Sequence, residues 1–259
     1  MKSVSSVFTP FAVVLVFLMS GSVAFAQGEV YPANSESVSY ADLANLPDWR
    51  GLWFPAFGQV GGDDPVLIGE ALAIWEMHQA LLAADSHYEV PETSNNCEPD
   101  GMPSFMTFPY SLEFLFTPGK ITIVQEALMQ VRRVFTDGRP LPDLDELDPN
   151  YFGYSVGEWE GDTLVVTTIG TQPGQRLGSA GINSSDELTI TERIYLDPEN
   201  ADQLHLDFTL EDANVLGQPW HRTHTFRRDR TWEQIEYICS QNNRHMIDEE
   251  GQTVAPEFQ

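Results

Sequence analysis

A carboxylate on the apolar face of a strand is the first feature of this chain that could do chemistry. From Leu188 to Tyr195, strand periodicity places Thr189, Thr191, Arg193 and Tyr195 on one face. Leu188, Ile190, Glu192 and Ile194 fall on the other, so Glu192 points among aliphatic side chains. A carboxylate there is either unpaired at high cost, or held by a partner. Glu126, between Ile123 and Leu128, is a second inward acid by the same reading. Arg132, Arg133 and Arg193 are the candidate partners. Two such acids beside an arginine would suit general acid and base work on an apolar molecule. A buried ion pair that fixes strand register is the favoured alternative, since structural pairs perturb pKa values as well.

The six histidines are His78, His87, His205, His221, His224 and His245. His221 and His224 are three apart on an expected strand and point to opposite faces, so they do not share a metal easily. His205 and Asp207 do share a face, about 7 Å apart by strand rise, which suits a charge pair. Zinc needs three or four ligands at recognisable spacing, and none is read here. The segment Gly157 to Gly161 lacks the strand-turn-helix context of a dinucleotide loop, so no organic cofactor is expected either. The candidate catalytic set is Glu192, Glu126, Arg193 and His205. The candidate ligand contacts are Trp53, Phe114, Tyr154, Trp159, Trp220 and His224, in a chain whose aromatic residues cluster early.

The elements that must position these residues are mostly strands. Asp48 to Phe54 reads as a short aromatic strand. Asp63, Asp64 and Pro65 are a helix-start signal, giving a helix over about 65–84. Residues 85–109 are loop-like, with five breakers at Pro91, Pro99, Gly101, Pro103 and Pro109. Strand character begins at Ser111, turns at Thr117-Pro118-Gly119-Lys120 and resumes from Ile121 to Phe135. Tyr151 to Glu158 and Thr163 to Ile169 flank a hairpin signal, Trp159-Glu160-Gly161-Asp162. Residues 171–187 form a loop too long for a tight turn, either a functional flap or a disordered insertion. Leu204, Leu206, Phe208 and Leu210 alternate with polar residues. Trp220 to Arg228 and Trp232 to Cys239 read as a last hairpin. Sequential strands without intervening helices pair antiparallel, and eight or nine in a meander curl closed. The expected fold is therefore mainly β: an antiparallel up-and-down barrel, or a strongly curved half-barrel, with one N-terminal helix. A two-sheet sandwich is the main alternative. One domain spans 47–243, between a flexible lead-in at 27–46 and a flexible tail at 244–259.

Composition narrows the partners. The chain has 259 residues, with 39 acidic and 13 basic side chains and a formal net charge of -26. Phosphate neutralisation needs clustered Lys and Arg, so nucleic acid is excluded as a partner, and anionic lipid surfaces are disfavoured. With 42% hydrophobic residues the chain can build a core, against intrinsic disorder. Lys2, the apolar run Val7 to Met19 and Ala24-Phe25-Ala26 together read as a signal peptide, 1–26, cleaved near Ala26. The expected location is periplasmic or secreted, without stable membrane insertion. In an oxidising compartment Cys97 and Cys239 suggest one disulfide; two buried free thiols or a reactive cysteine are the alternatives.

Gly51-Leu52-Trp53 on a first strand is similar to the Gly-x-Trp of lipocalins and other calycins. That resemblance implies a Trp at the closed end of a barrel near a late arginine, here Arg227 or Arg228. A longer resemblance runs through Cys97-Glu98-Pro99-Asp100-Gly101-Met102-Pro103 and Val156 to Val166, including Trp159-Glu160-Gly161-Asp162. It continues through Thr191-Glu192-Arg193, Pro219-Trp220 and Glu236-Tyr237-Ile238-Cys239. Together these resemble a large group of exported bacterial proteins, which implies a fold and a compartment. Members of that group often carry His where this chain has Leu141, Tyr154 and Glu158, so a His-based site there would be altered. The expected function is binding of a small hydrophobic or amphipathic molecule. The alternatives are a cofactor-independent lyase, hydratase or isomerase using inward Glu and Arg, and a packed structural or interaction protein.

Overall fold

The computed structural model describes residues 39–85, 88, 90, 97–178, 181–239, 246–247 and 253–254. The expected signal peptide, the lead-in before residue 39, and all but four residues of the expected tail lie outside these. Nine strands close into one barrel in chain order, β1 to β9. They are β1 Leu52–Gly62, β2 Leu112–Thr117, β3 Lys120–Gln125, β4 Gln130–Phe135 and β5 Tyr154–Glu160. β6 Thr163–Ile169, β7 Thr189–Leu196, β8 Gln203–Glu211 and β9 Trp220–Asp229 complete it. Closure replaces both the half-barrel and the sandwich. In the tail, β10 Met246–Ile247 pairs with β11 Thr253–Val254.

The barrel is not a pure up-and-down meander. Neighbours pair antiparallel except β4 and β5, which run parallel. Parity demands this: strands that alternate direction all round can close only in even number, and nine is odd. A connection over 136–153 carries the chain from the end of β4 back to the start of β5. The parallel seam has only two register pairs, Val134 with Ser155 and Phe135 with Val156. Hairpins elsewhere use tight turns, as at Gly161, whose φ of 63° suits a residue without a Cβ.

Among the described residues the single long helix, α1 Gly69–Ala84, is inserted between β1 and β2 rather than standing N-terminal to the barrel. Among the described residues no helix is long and apolar enough to cross a membrane. β1 runs eight residues beyond the expected end at Phe54 because a bulge between Pro55 and Val60 absorbs the breakers. The expected strand over 232–239 is not formed, since residues 232–238 are irregular. β9 has β8 on one side and β1 on the other, so no edge is left for it. The Asp229 carboxylate instead accepts the amides of Thr231 and Trp232 at 2.7 and 2.9 Å, turning the chain away.

Inner faces follow the period of two. Leu204, Leu206, Phe208 and Leu210 of β8 are buried, as are Ile190, Glu192 and Ile194 of β7. The upper end, where β1 finishes, is plugged by residues 100–106. Met102, Phe105 and Met106 are fully buried there, and the Met102 amide donates to the Tyr151 carbonyl at 2.8 Å. The long loop after β6 is packed rather than loose: Leu177 and Ile182 belong to the core, and Leu177 and Ile182 bond to each other through their backbones.

Candidate functional site

Four inward side chains from four adjacent strands form a polar belt inside the barrel. Glu192 of β7 and Arg132 of β4 pair, with the Arg132 Nη1 donating to Glu192 Oε1 at 3.0 Å and Nη2 donating to Oε2. Nη2 also reaches Thr168 Oγ1 of β6 at 2.9 Å and Ser155 Oγ of β5 at 3.2 Å. The two hydroxyls lie 2.8 Å apart. Glu192 is 0% exposed and Arg132 1%. The inward direction of Glu192 and the presence of an arginine partner agree with the strand period. A fully buried pair with bidentate geometry and further hydroxyl contacts is a satisfied network. It ties β4 to β7 across the two-pair parallel seam.

The other expected catalytic residues do not converge on it. Glu126 is not an inward acid. β3 stops at Gln125, which is the fully buried residue, and Glu126 stands in the turn before β4, accepting from Ser111 Oγ at 3.1 Å. Arg193 lies on the outside of β7, paired with Glu160 at 2.9 Å in water. His205 is on the outer face of β8, with Nε2 3.0 Å from Asp197 Oδ2. That bond, with backbone amides from Glu199 and Asn200, lowers the Asp197 pKa.

The candidate ligand contacts fall in three places. At the lower end, the fully buried Trp53 donates its indole N–H to the Trp49 carbonyl at 2.9 Å. The Arg228 guanidinium sits 4.5 Å from the Trp53 ring centroid, the late arginine anticipated from Gly51-Leu52-Trp53. Trp49 packs edge-on against Phe114 at 5.1 Å and Trp159 at 5.4 Å. Residues 43–50 cross this end and leave a groove of about 460 Å³ against Phe114, Leu115 and Phe116 of β2. Its walls are Leu43, Leu46, Pro47 and Trp49, with Asp48 and Arg50 at the rim. Arg50 holds the Asp48 carboxyl well below the usual range, through an Nε contact of 2.7 Å.

Trp220 and His224 are on the inner face of β9, away from that groove. The Trp220 indole N–H donates to the Asp63 carbonyl at 2.7 Å. His224 is buried, edge-on to Phe208 at 6.0 Å. Burial, with the nearby Arg222 charge, pushes its pKa down to about 4. Tyr154 is on the outer side of β5, its hydroxyl accepting from Arg139 Nη1 at 3.2 Å. Arg139 also lines an outer groove of about 290 Å³ with Leu141 and Glu158, and its bond to Tyr154 brings that residue beside them. Cys97 and Cys239 form a disulfide, with Cα atoms 5.6 Å apart.

A side chain with no accessible surface borders no water-sized void. Ile123, Leu164, Val166, Ile190, Ile194 and Leu206 all meet that condition, so the barrel beside them is filled. Two contributors are not among the residues expected from sequence. Trp49 is a wall of the lower groove, and Arg222 sits between Trp220 and His224 on β9. For Arg222 the signal was present, because it shares the inner face with both at period two. Comparison with models of known protein families and with curated proteins returns no match.

Proposed function

We propose that this chain is an exported barrel that binds a small hydrophobic or amphipathic molecule at its lower mouth. The observation that carries the reading is the apolar groove of about 460 Å³ between residues 43–50 and β2. That volume is within the roughly 300–1,000 Å³ of small-molecule sites, and apolar walls with a few polar groups are their usual composition. Edge contacts from Trp49 to Phe114, Phe116 and Trp159 hold the wall in place before any ligand arrives. The Asp48–Arg50 pair at the rim suits the polar end of an amphipathic guest. Trp53 under Arg228 supports a calycin-like reading of the barrel. The Cys97–Cys239 disulfide supports export to an oxidising compartment, as in the bacterial group the motifs resemble. The filled interior moves the expected ligand from a central cavity to the mouth. It also leaves Glu192 and Arg132 out of reach of a reactant.

Titration with the neutral probe N-phenyl-1-naphthylamine tests this. Saturable 1:1 binding with tryptophan quenching is expected, lost in Leu115→Arg while the melting temperature holds. Leu115 is 44% exposed, so the substitution adds a charge to the wall without opening the core. No saturable binding, or equal binding by the variant, would overturn the reading.

A further inference from the structure

The inner face of β9 carries a cation that the fold does not neutralise. Register pairs Arg222 with Phe208 of β8 and with Gly62 of β1. Its one hydrogen bond among the described residues runs from Nη1 to the Leu177 carbonyl at 2.7 Å. A guanidinium has five N–H donors, so most remain unused. Four other arginines are buried or half-buried, and each faces a carboxylate. Arg132 meets Glu192, Arg139 meets Asp137, Arg176 meets Asp100 and Arg228 meets Asp202. Among the described residues no carboxylate lies within ion-pair distance of Arg222, and burial lowers its pKa with no acid to offset it.

His224 is the second, independent observation. It is 8% exposed, and its Nε2 is buried without a hydrogen-bond partner among the described residues. It follows Arg222 by two residues on the same face, about 7 Å along the strand. Buried polar atoms are nearly always satisfied, and an orphan beside an unneutralised cation points to a missing anionic partner. Arg222 itself is half-buried rather than enclosed, so its guanidinium keeps some exposed surface.

We propose that Arg222, with His224 beneath it, is a recognition site for the carboxylate of a small molecule, separate from the lower groove. The chemistry is specific in three ways. A guanidinium fork matches a carboxylate in bidentate fashion. The Trp220 ring, 5.0 Å from the guanidinium, holds the fork in one orientation. One cation matches a monoanion, and a chain of formal charge -26 repels multiply charged anions on approach.

Calorimetric titration of the intact oxidised protein with benzoate and with its neutral isostere benzamide tests the site. Benzoate binds 1:1, and benzamide binds roughly tenfold more weakly or not at all, the loss of one charge-assisted contact. Arg222→Met loses benzoate binding, and Leu115→Arg in the lower groove keeps it. If Arg222→Met fails to fold, ring-proton NMR of His224 in the wild-type protein decides. Its titration midpoint rises when benzoate is bound. Absence of benzoate binding, equal binding of benzamide, binding that survives Arg222→Met, or an unmoved His224 midpoint overturns the proposal.

Discussion

Arg132 and Arg222 both project from the inner face of the barrel wall, and the fold treats them in opposite ways. Arg132 is enclosed by Glu192, Ser155 and Thr168, so β5, β6 and β7 each contribute one partner to it. Arg222 has a backbone carbonyl, an indole face and a histidine with a free nitrogen. A desolvated charge must be compensated by something. Where the protein supplies the whole shell, the group holds the architecture. Where it supplies part of the shell, the remainder is open to a ligand.

The largest effect should come from removing one partner of the complete pair. Glu192→Ala strands the Arg132 charge in the core and should cost about 3–5 kcal/mol in chemical denaturation. The double change Arg132→Met with Glu192→Leu should recover most of it, because apolar residues of similar volume replace a buried pair at little cost. Arg222→Met should change stability by about 1 kcal/mol or less, since it leaves one backbone carbonyl, that of Leu177, and no buried charge behind. A loss as large as that of Glu192→Ala would erase the distinction.

The next effect is a pH dependence. The folded His224 pKa is about 4, below its ordinary 6.5. Between these values the unfolded chain holds a proton that the folded chain does not. Stability therefore rises with pH through this window, is complete above 6.5, and is lost as pH falls toward 4. The span corresponds to on the order of 3 kcal/mol. Asp48, Asp137 and Asp197, all lowered by hydrogen bonds, act below their ordinary 3.8. Midpoints of urea unfolding from pH 4 to 7 should show the slope in the wild type and its loss in His224→Leu. The smallest effect is the reference in water: Arg193→Ala breaks the exposed contact with Glu160 and should cost under about 0.5 kcal/mol by thermal melting. A larger cost would mean that exposure does not separate the two kinds of pair.

The sequence made some of this legible, and physical reasons account for the rest. β8 alternates without a break, and Glu192 lies on a strand whose two faces differ clearly, so period two sufficed for both. Arg132 was separated from Arg133 only by register, which depends on where β4 begins. That start was hidden because the β3–β4 turn contains no Gly, Pro, Asn or Asp. Leu128 and Met129 take φ of 56° and 50° there, conformations that bulky residues rarely signal. The same hidden turn made Glu126 look inward. The parallel seam was invisible because it follows from strand count, and the count changes if one doubtful strand is dropped. The disulfide followed from cysteine arithmetic and the compartment expected from the N-terminal segment. The loop at 171–187 looked loose from its Gly and Ser content, yet Leu177 and Ile182 anchor it in the core. Arg222 is hard to read from sequence because a strand rich in His, Arg and Thr looks solvated until its neighbours on both sides are known.

The most direct test of the small-molecule reading is native mass spectrometry of the full chain recovered from an exporting host. The account predicts a 1:1 complex with a small apolar or amphipathic molecule, released on collisional activation and absent from Leu115→Arg. A bare chain in both preparations, or the same adduct retained by the variant, would contradict it.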